Sequence, residues 1–177
     1  DLRMSRGLGD VYKRQFHEFF ESEGLPTDQV KVFNDEYQIR LGDKAFFCDH
    51  GDELVKQLKA TVKQYAVTNG TTVAQERKLR FSGLDQLLDG VFISEQVGVD
   101  KPQKAFFDAV WNEIGSYAPD EVVIVGDSLT SDIRGGKNAG ILTCWYNPDH
   151  LPNKIEVTPD CTIDNLQDIL SYLDESR

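Results

Sequence analysis

The strongest constraint on the fold is an apolar run that ends in a glycine and two aspartates, residues 122–132, Val-Val-Ile-Val-Gly-Asp-Ser-Leu-Thr-Ser-Asp. The apolar part predicts a strand buried on both faces of a parallel sheet. Gly126 allows a turn at the carboxyl end of this strand, where open α/β sheets bind their ligands. Asp127 and Asp132 follow, and two carboxylates at such an edge indicate a hard cation, usually Mg²⁺. An acidic helix N-terminus is the alternative interpretation.

Two other segments have polar groups at the ends of predicted elements. Residues 65–70, Tyr-Ala-Val-Thr-Asn-Gly, predict a strand followed by a helix whose N-terminus could bind an anion beside the Thr68 hydroxyl. Thr72 and Gln75 have the spacing of a capping box at the start of that helix. Lys101 precedes Pro102, a residue favoured in a first helical turn. Taken singly, these segments favour an ordinary strand-to-helix turn and a solvated surface lysine.

The order of these segments along the chain is more informative than any one of them alone. Thr68, Lys101, Gly126-Asp127 and Asp132 resemble the second, third and fourth motifs of the haloacid dehalogenase superfamily of phosphohydrolases. The likeness extends over roughly residues 16–177. Residues 83–98 and 138–148 resemble the branch of pyrimidine 5′-nucleotidases that also clear damaged or modified pyrimidine nucleotides.

The resemblance implies Mg²⁺-dependent hydrolysis of a small phosphate ester, with a pyrimidine nucleoside 5′-monophosphate as the expected substrate. An aspartate would attack the phosphorus and form an aspartyl-phosphate, which water then hydrolyses. Thr68 and the Asn69 backbone N–H would bind phosphoryl oxygens, and Lys101 would neutralise the phosphoryl group. Asp127 would bind Mg²⁺, and Asp132 would orient a metal-bound water or hold Lys101.

The family's first motif, Asp-x-Asp after a hydrophobic strand, supplies the nucleophile and the general acid/base, and it does not occur in this sequence. We therefore expect an N-terminally truncated and inactive member of the family. Residues 1–15 have four basic and two acidic side chains in a chain whose net charge is −11, and this charge break predicts a non-native segment.

Composition excludes several classes of function. The net charge of −11 argues against nucleic-acid binding, and no apolar run approaches the ~20 residues of a membrane span. Cys48, Cys144 and Cys161 are odd in number and scattered, which favours core roles in a reducing cytoplasm over disulfides or zinc. The oligomeric state is left open.

The alternation of helical and strand patterns predicts an α/β fold, a Rossmann-like parallel sheet lacking its first strand, with the remainder of a helical cap. Residues 16–48 would be the partial cap and residues 49–177 the core. Strands are expected at 65–68, 90–93, 122–125, 141–146 and 161–163. The aromatic residues of the cap are expected to pack against one another rather than stack on a base.

Three rival functions are open at this stage. A haloacid dehalogenase would need no metal, and the Gly126-Asp127 to Asp132 pattern argues against it. A sugar phosphatase or a phosphoglucomutase fits the same motifs, because the cap determines the substrate. A non-enzymatic remnant or binding module would also lack the first motif.

Overall fold

The computed structural model describes residues 8–115 and 117–175, which form two compact units. The first unit comprises residues up to 46 together with residues 61–100, and the second comprises residues 47–60 together with those from 101 onward. Each unit combines helices with parallel strands, which confirms the predicted α/β class. The predicted boundaries at residues 15 and 48 stay a prediction; residues 1–7 lie outside the described residues.

The elements follow one another in the alternating order that the sequence predicts. The helices are α1 (Leu8–Ser22), α2 (Val30–Gly42), α3 (Gly51–Leu58), α4 (Thr72–Ser82), α5 (Ser94–Val97), α6 (Lys104–Ile114), α7 (Arg134–Ala139) and α8 (Ile169–Glu175). The strands are β1 (Tyr65–Thr68), β2 (Gly90–Ile93), β3 (Val123–Gly126), β4 (Leu142–Tyr146) and β5 (Cys161–Ile163). No helix in the described ranges is long and apolar enough to cross a membrane.

The first unit contains a two-stranded parallel sheet whose strands end side by side. β1 pairs with β2 from Tyr65 opposite Gly90 to Thr68 opposite Ile93. Since both strands run in the same direction, the polar residues that follow them, Asn69 and Ser94, emerge at the same sheet edge.

Aromatic rings join α1 to α2 in the first unit. The ring of Phe33 lies 4.9 Å from that of Phe16 and 5.4 Å from that of Phe20, in edge-to-face geometry. Tyr37 contacts Phe16 at 5.1 Å. Such pairs add about 0.5–1.5 kcal/mol each beyond the area that they bury. These rings pack against one another, as predicted for the aromatic residues of the cap.

The second unit contains a three-stranded parallel sheet in the order β3-β4-β5. α7 lies directly against it, because a Cβ atom at Gly136 would be 2.6 Å from the methyl groups of Ile124 and Thr143. Any side chain at this position would push the helix away from the sheet. Cys144, on β4, is fully buried, and burial raises the pKa of its thiol well above the usual range.

Two expectations about burial were wrong. The strand before Asp127 is buried at Ile124, but Val125 is 39% exposed, because β3 is an edge strand of the sheet in its unit. Cys48 is exposed rather than part of a core, because it lies in the irregular segment before α3.

A polar clamp fastens the segment before β5 to β4. The backbone N–H and the hydroxyl of Thr143 both donate to the Asp160 carboxylate at 2.8 Å, and Lys137 donates to its other oxygen at 2.6 Å. Burial tends to raise the pKa of Asp160, but the hydrogen bonds from Lys137 and Thr143 outweigh it and lower the pKa below its ordinary value. The ionised form of Asp160 therefore stabilises the fold.

We predict that Asp160→Asn lowers the free energy of unfolding by about 1 kcal/mol at pH 7, a small value because Lys137 and Asp160 are 36% and 33% exposed. A lowered pKa in the folded state contributes stability above the unfolded value of about 3.9 and loses it as pH falls through the folded value. The difference between the two proteins should therefore start to shrink below about pH 4 and be lost as pH falls through the folded-state pKa. Urea denaturation from pH 7 to 3 measures it, with the exposed Asp164→Asn as control. A difference that stayed constant from pH 7 to pH 3 would contradict the clamp.

Candidate active site

A buried ion pair lies in the second unit, close to the end of β3. The ammonium group of Lys101 is 2.6 Å from an oxygen of Asp132, and the two side chains are only 7% and 10% exposed. Lys101 lies in the turn before α6, and Asp132 in the turn that joins β3 to α7. Charges are buried in this way only when they are paired and hydrogen-bonded. The third and fourth predicted motifs therefore meet at this pair.

Neighbouring residues hold the Asp132 carboxylate in place by hydrogen bonds and close packing. Residues Leu129–Ile133 form a single π-helical turn, which is capped where the Ser128 hydroxyl accepts a hydrogen bond from the Ser131 N–H at 3.2 Å. The Ser128 N–H donates to the second oxygen of Asp132, also at 3.2 Å. A Cβ atom at Gly126 would lie 2.5 Å from the carboxyl carbon of Asp132. Only glycine therefore lets this carboxylate lie against the strand end.

Asp127 differs from Asp132 in being exposed. Its backbone carbonyl accepts a hydrogen bond from the Trp145 indole at 3.0 Å, which fixes the position of the residue beyond β3. An exposed carboxylate of this kind fits a Mg²⁺ ligand, because Mg²⁺ is usually held by one or two carboxylates, water and substrate phosphate. Among the residues that the structure describes, no three His, Cys, Asp or Glu side chains form a metal-binding group.

Thr68 and Asn69 lie in the first unit, at the carboxyl end of β1. The Thr68 hydroxyl is partly buried and reaches the Asn69 carbonyl only at 3.5 Å, the limit of a hydrogen bond. The next N–H, that of Gly70, donates to the Ser94 hydroxyl at 3.1 Å. The turn after β1 is thus tied to the end of β2.

The following helix spans residues 72–82 as predicted, but its capping residue was wrong by one position. The N-cap of α4 is Thr71, whose hydroxyl accepts from the Ala74 N–H at 3.4 Å. Thr72 instead donates its N–H to the Glu95 carboxylate at 2.7 Å, and a negative charge at that position is favourable beside a helix N-terminus. The expectation for Pro102 was also wrong, because α6 begins only at Lys104 and the Lys101–Pro102 peptide is cis.

Ser94 and Glu95 were missed as candidate residues. Both directly follow β2, at the same sheet edge as Asn69. The signal was present in the sequence, since polar residues after a predicted parallel strand also identified Asp127. Thr68 and Asn69 belong to the first unit, whereas Lys101, Asp127 and Asp132 belong to the second.

Comparison with known proteins identifies the family. The model of the haloacid dehalogenase-like hydrolases matches residues 6–140, and the chain belongs to this family of hydrolases. It is 43% identical over 168 residues to the pyrimidine 5′-nucleotidase PynA of Streptococcus pneumoniae, which covers 94% of this chain and 70% of that protein. It is 36% identical over 120 residues to the pyrimidine 5′-nucleotidase YjjG of Escherichia coli, over 68% of this chain and 53% of that protein. The family predicted from the motif order is confirmed.

Solved structures agree with this assignment. The structure of the HAD-hydrolase YfnB from Bacillus subtilis, bound to magnesium, matches with a TM-score of 0.77 and 30% identity, covering 94% of this chain and 81% of that one. A 2-haloacid dehalogenase from Pseudomonas syringae has the same TM-score at 23% identity, over 97% of this chain and 73% of that one. Because its identity is low, the match to the dehalogenase supports only the fold.

We predict that Lys101→Met and Asp132→Asn each lower the free energy of unfolding by about 3 kcal/mol, because each leaves a buried charge without its partner. The double variant should lose clearly less than the sum, since neither charge then remains. Chemical denaturation of the four proteins measures this coupling.

The matched control is the exposed pair Lys104–Asp108, whose side chains are 65% and 56% exposed. Lys104→Met and Asp108→Asn should each change stability by less than about 1 kcal/mol, with little coupling. Equal coupling in both pairs would contradict a special role for Lys101 and Asp132.

Proposed function

We propose that this chain carries the binding and charge-stabilising part of a Mg²⁺-dependent phosphatase for pyrimidine nucleoside 5′-monophosphates. The observation that supports the proposal is the buried Lys101–Asp132 pair, with the exposed Asp127 at the end of the adjoining strand. The identity of 43% with a pyrimidine 5′-nucleotidase supports the choice of substrate class.

Lys101 supplies a fixed positive charge for the phosphoryl group. Asp132 holds its ammonium group at 2.6 Å and is itself held by the Ser128 N–H. Both Asp132 oxygens are therefore engaged by protein groups, which favours a positioning role for Asp132 over direct metal ligation. A preorganised charge of this kind acts most strongly where water is excluded.

Asp127 is the direct ligand of Mg²⁺ in this proposal. When bound, the cation neutralises phosphoryl oxygens and allows an anionic nucleophile to approach an anionic substrate. Asp127 holds and orients it from the end of β3, while the Thr68 hydroxyl and the Asn69 N–H bind phosphoryl oxygens. None of these binding roles requires a protein group to gain or lose a proton.

The covalent step needs a carboxylate nucleophile. In the proposed route a carboxylate oxygen forms a bond to phosphorus, the bond from phosphorus to the nucleoside oxygen breaks, and the alcohol leaves with a proton. Water then hydrolyses the aspartyl-phosphate. The sequence has no Asp-x-Asp motif to supply this carboxylate and its proton donor, so the chain binds and polarises without turnover.

We predict that the chain releases no phosphate from uridine monophosphate, thymidine monophosphate or p-nitrophenyl phosphate with Mg²⁺ present. A sensitive phosphate assay on the purified chain measures this. Turnover that disappeared in Asp127→Ala would contradict the proposal that the nucleophile is missing.

A version with an N-terminal strand ending in Asp-x-Asp should hydrolyse pyrimidine nucleotides in the presence of Mg²⁺ and stop when the metal is chelated. Lys101→Ala and Asp127→Ala should each lose about 10²–10³ in rate, the usual effect of removing one charge-stabilising group. Lys104→Ala and Asp108→Ala, surface variants of the same residue types, serve as controls. Preference for phosphoserine or hexose phosphates would refute the pyrimidine assignment and leave the family intact.

A further inference from the structure

Trp145, on β4, is buried beside the proposed metal ligand and has no assigned role in the reaction. Its side chain is 7% exposed, and it is the register partner of Gly126, the last residue of β3. A buried indole N–H usually finds a hydrogen-bond acceptor. Here the acceptor is the backbone carbonyl of Asp127, at 3.0 Å. The indole therefore contacts the residue that follows the strand end.

The peptide group between Asp127 and Ser128 is held at both of its ends. The Trp145 indole donates to its carbonyl oxygen at 3.0 Å, and its N–H donates to an oxygen of Asp132 at 3.2 Å. A peptide group is planar and its carbonyl and N–H point in opposite directions, so two such bonds fix the direction of the whole plane. The Asp127 backbone cannot turn about this peptide without breaking one of them.

The carboxylate of Asp127 depends on this fixed backbone for its position. The side chain is exposed, so packing around it restrains it little. Mg²⁺ demands near-ideal octahedral geometry from its ligands. A ligand that is already oriented loses less freedom when the ion binds, and its affinity for the ion is higher for that reason.

The simpler explanation of the indole contact is that it satisfies a buried N–H and nothing more. Loss of the donor would then lower the stability of the fold and leave metal binding unchanged. A role in orienting the ligand makes the opposite claim about the metal, because residues that orient a metal ligand affect its affinity without touching the ion. Metal affinity therefore distinguishes the two explanations.

We propose that Trp145 is a positioning residue for the metal, and that its indole N–H orients Asp127 as a ligand of Mg²⁺. The inference rests on the proposed function, in which Asp127 is the direct ligand, and deepens it by naming the residue that holds this ligand. Asp132 fixes the other end of the same peptide group. The buried ion pair and the indole thus act together on the metal ligand.

The test measures binding of Mn²⁺, which favours the same oxygen ligands and octahedral geometry as Mg²⁺. The whole chain is titrated, and electron paramagnetic resonance detects the free ion. Trp145→Phe should weaken binding about tenfold, the usual lower limit for removing a group that orients a metal ligand. Trp111→Phe is the matched control and should keep the parental affinity, because Trp111 is the other of the two tryptophans and lies on α6 in the same unit.

A second replacement removes the donor and keeps the shape of the ring system. In the Trp111→Phe protein, benzothienylalanine in place of Trp145 has a sulfur atom where the indole has its N–H. It should weaken Mn²⁺ binding as much as Trp145→Phe does. Fluorotryptophan, which retains the N–H, should keep the parental affinity. Urea denaturation of each protein reports any loss of stability separately from the loss of metal affinity.

Equal Mn²⁺ affinity with and without the indole donor would overturn the proposal and leave Trp145 as a packing residue. Asp127→Asn separates that result from a failure of the proposed function. If Asp127→Asn abolishes binding while the replacements of Trp145 do not weaken it, Asp127 stands as the ligand and only the positioning role fails. If Asp127→Asn binds as tightly as the parent chain, or the parent shows no saturable binding, both proposals fail.

Discussion

The ion pair between Lys101 and Asp132 is the interaction around which the second unit is organised. Removing two charges from water is costly, and their attraction offsets that cost only when the geometry is fixed and the remaining hydrogen-bonding positions are filled. The Ser128 N–H fills one such position, and the absence of a side chain at Gly126 provides the space. The π-helical turn at Leu129–Ile133 brings the carboxylate to the strand end, in keeping with the frequent location of such turns at functional sites.

Polar groups at strand ends also fix the loops of the first unit. There Thr71 caps α4 and also fixes the Gln38 amide, while Ser94 and Glu95 bind the backbone of the turn after β1. Each of these contacts holds a loop in place by satisfying a backbone or amide group. Loops held in this way can present functional groups accurately, because the scaffold determines their positions.

Much of the fold could be predicted from the sequence because the strands are short apolar runs between clear breaks. Three strands, 65–68, 90–93 and 161–163, have the predicted bounds, and the strand before Asp127 is displaced by one residue. The π-helical turn could not be predicted, since one extra residue in a helical turn leaves no trace in a hydrophobic pattern. The cap of α4 was misplaced because Thr71 and Thr72 are chemically alike and only the geometry separates them.

The buried amides of α2 show a different limit of sequence interpretation. Asn34 and Gln38 lie in a helix with several charged residues, where a polar side chain is normally taken to face solvent. Only the packing of α2 against α4 turns this face inward, at Gly42, where a Cβ atom would lie 2.5 Å from that of Arg77. Small residues at helix contacts are thus a usable sign of buried neighbours, although the sequence does not say which polar groups they bury.

Charge explains how an acidic protein could accept an anionic substrate under the proposed function. Lys101, Asp132 and Asp127 together have a net charge of −1, which by itself repels a phosphate. A divalent cation on Asp127 changes this sum to +1, so attraction of the phosphoryl group depends on the metal. Attraction of a phosphate group is therefore a local and metal-dependent effect, although the net charge of the chain is −11.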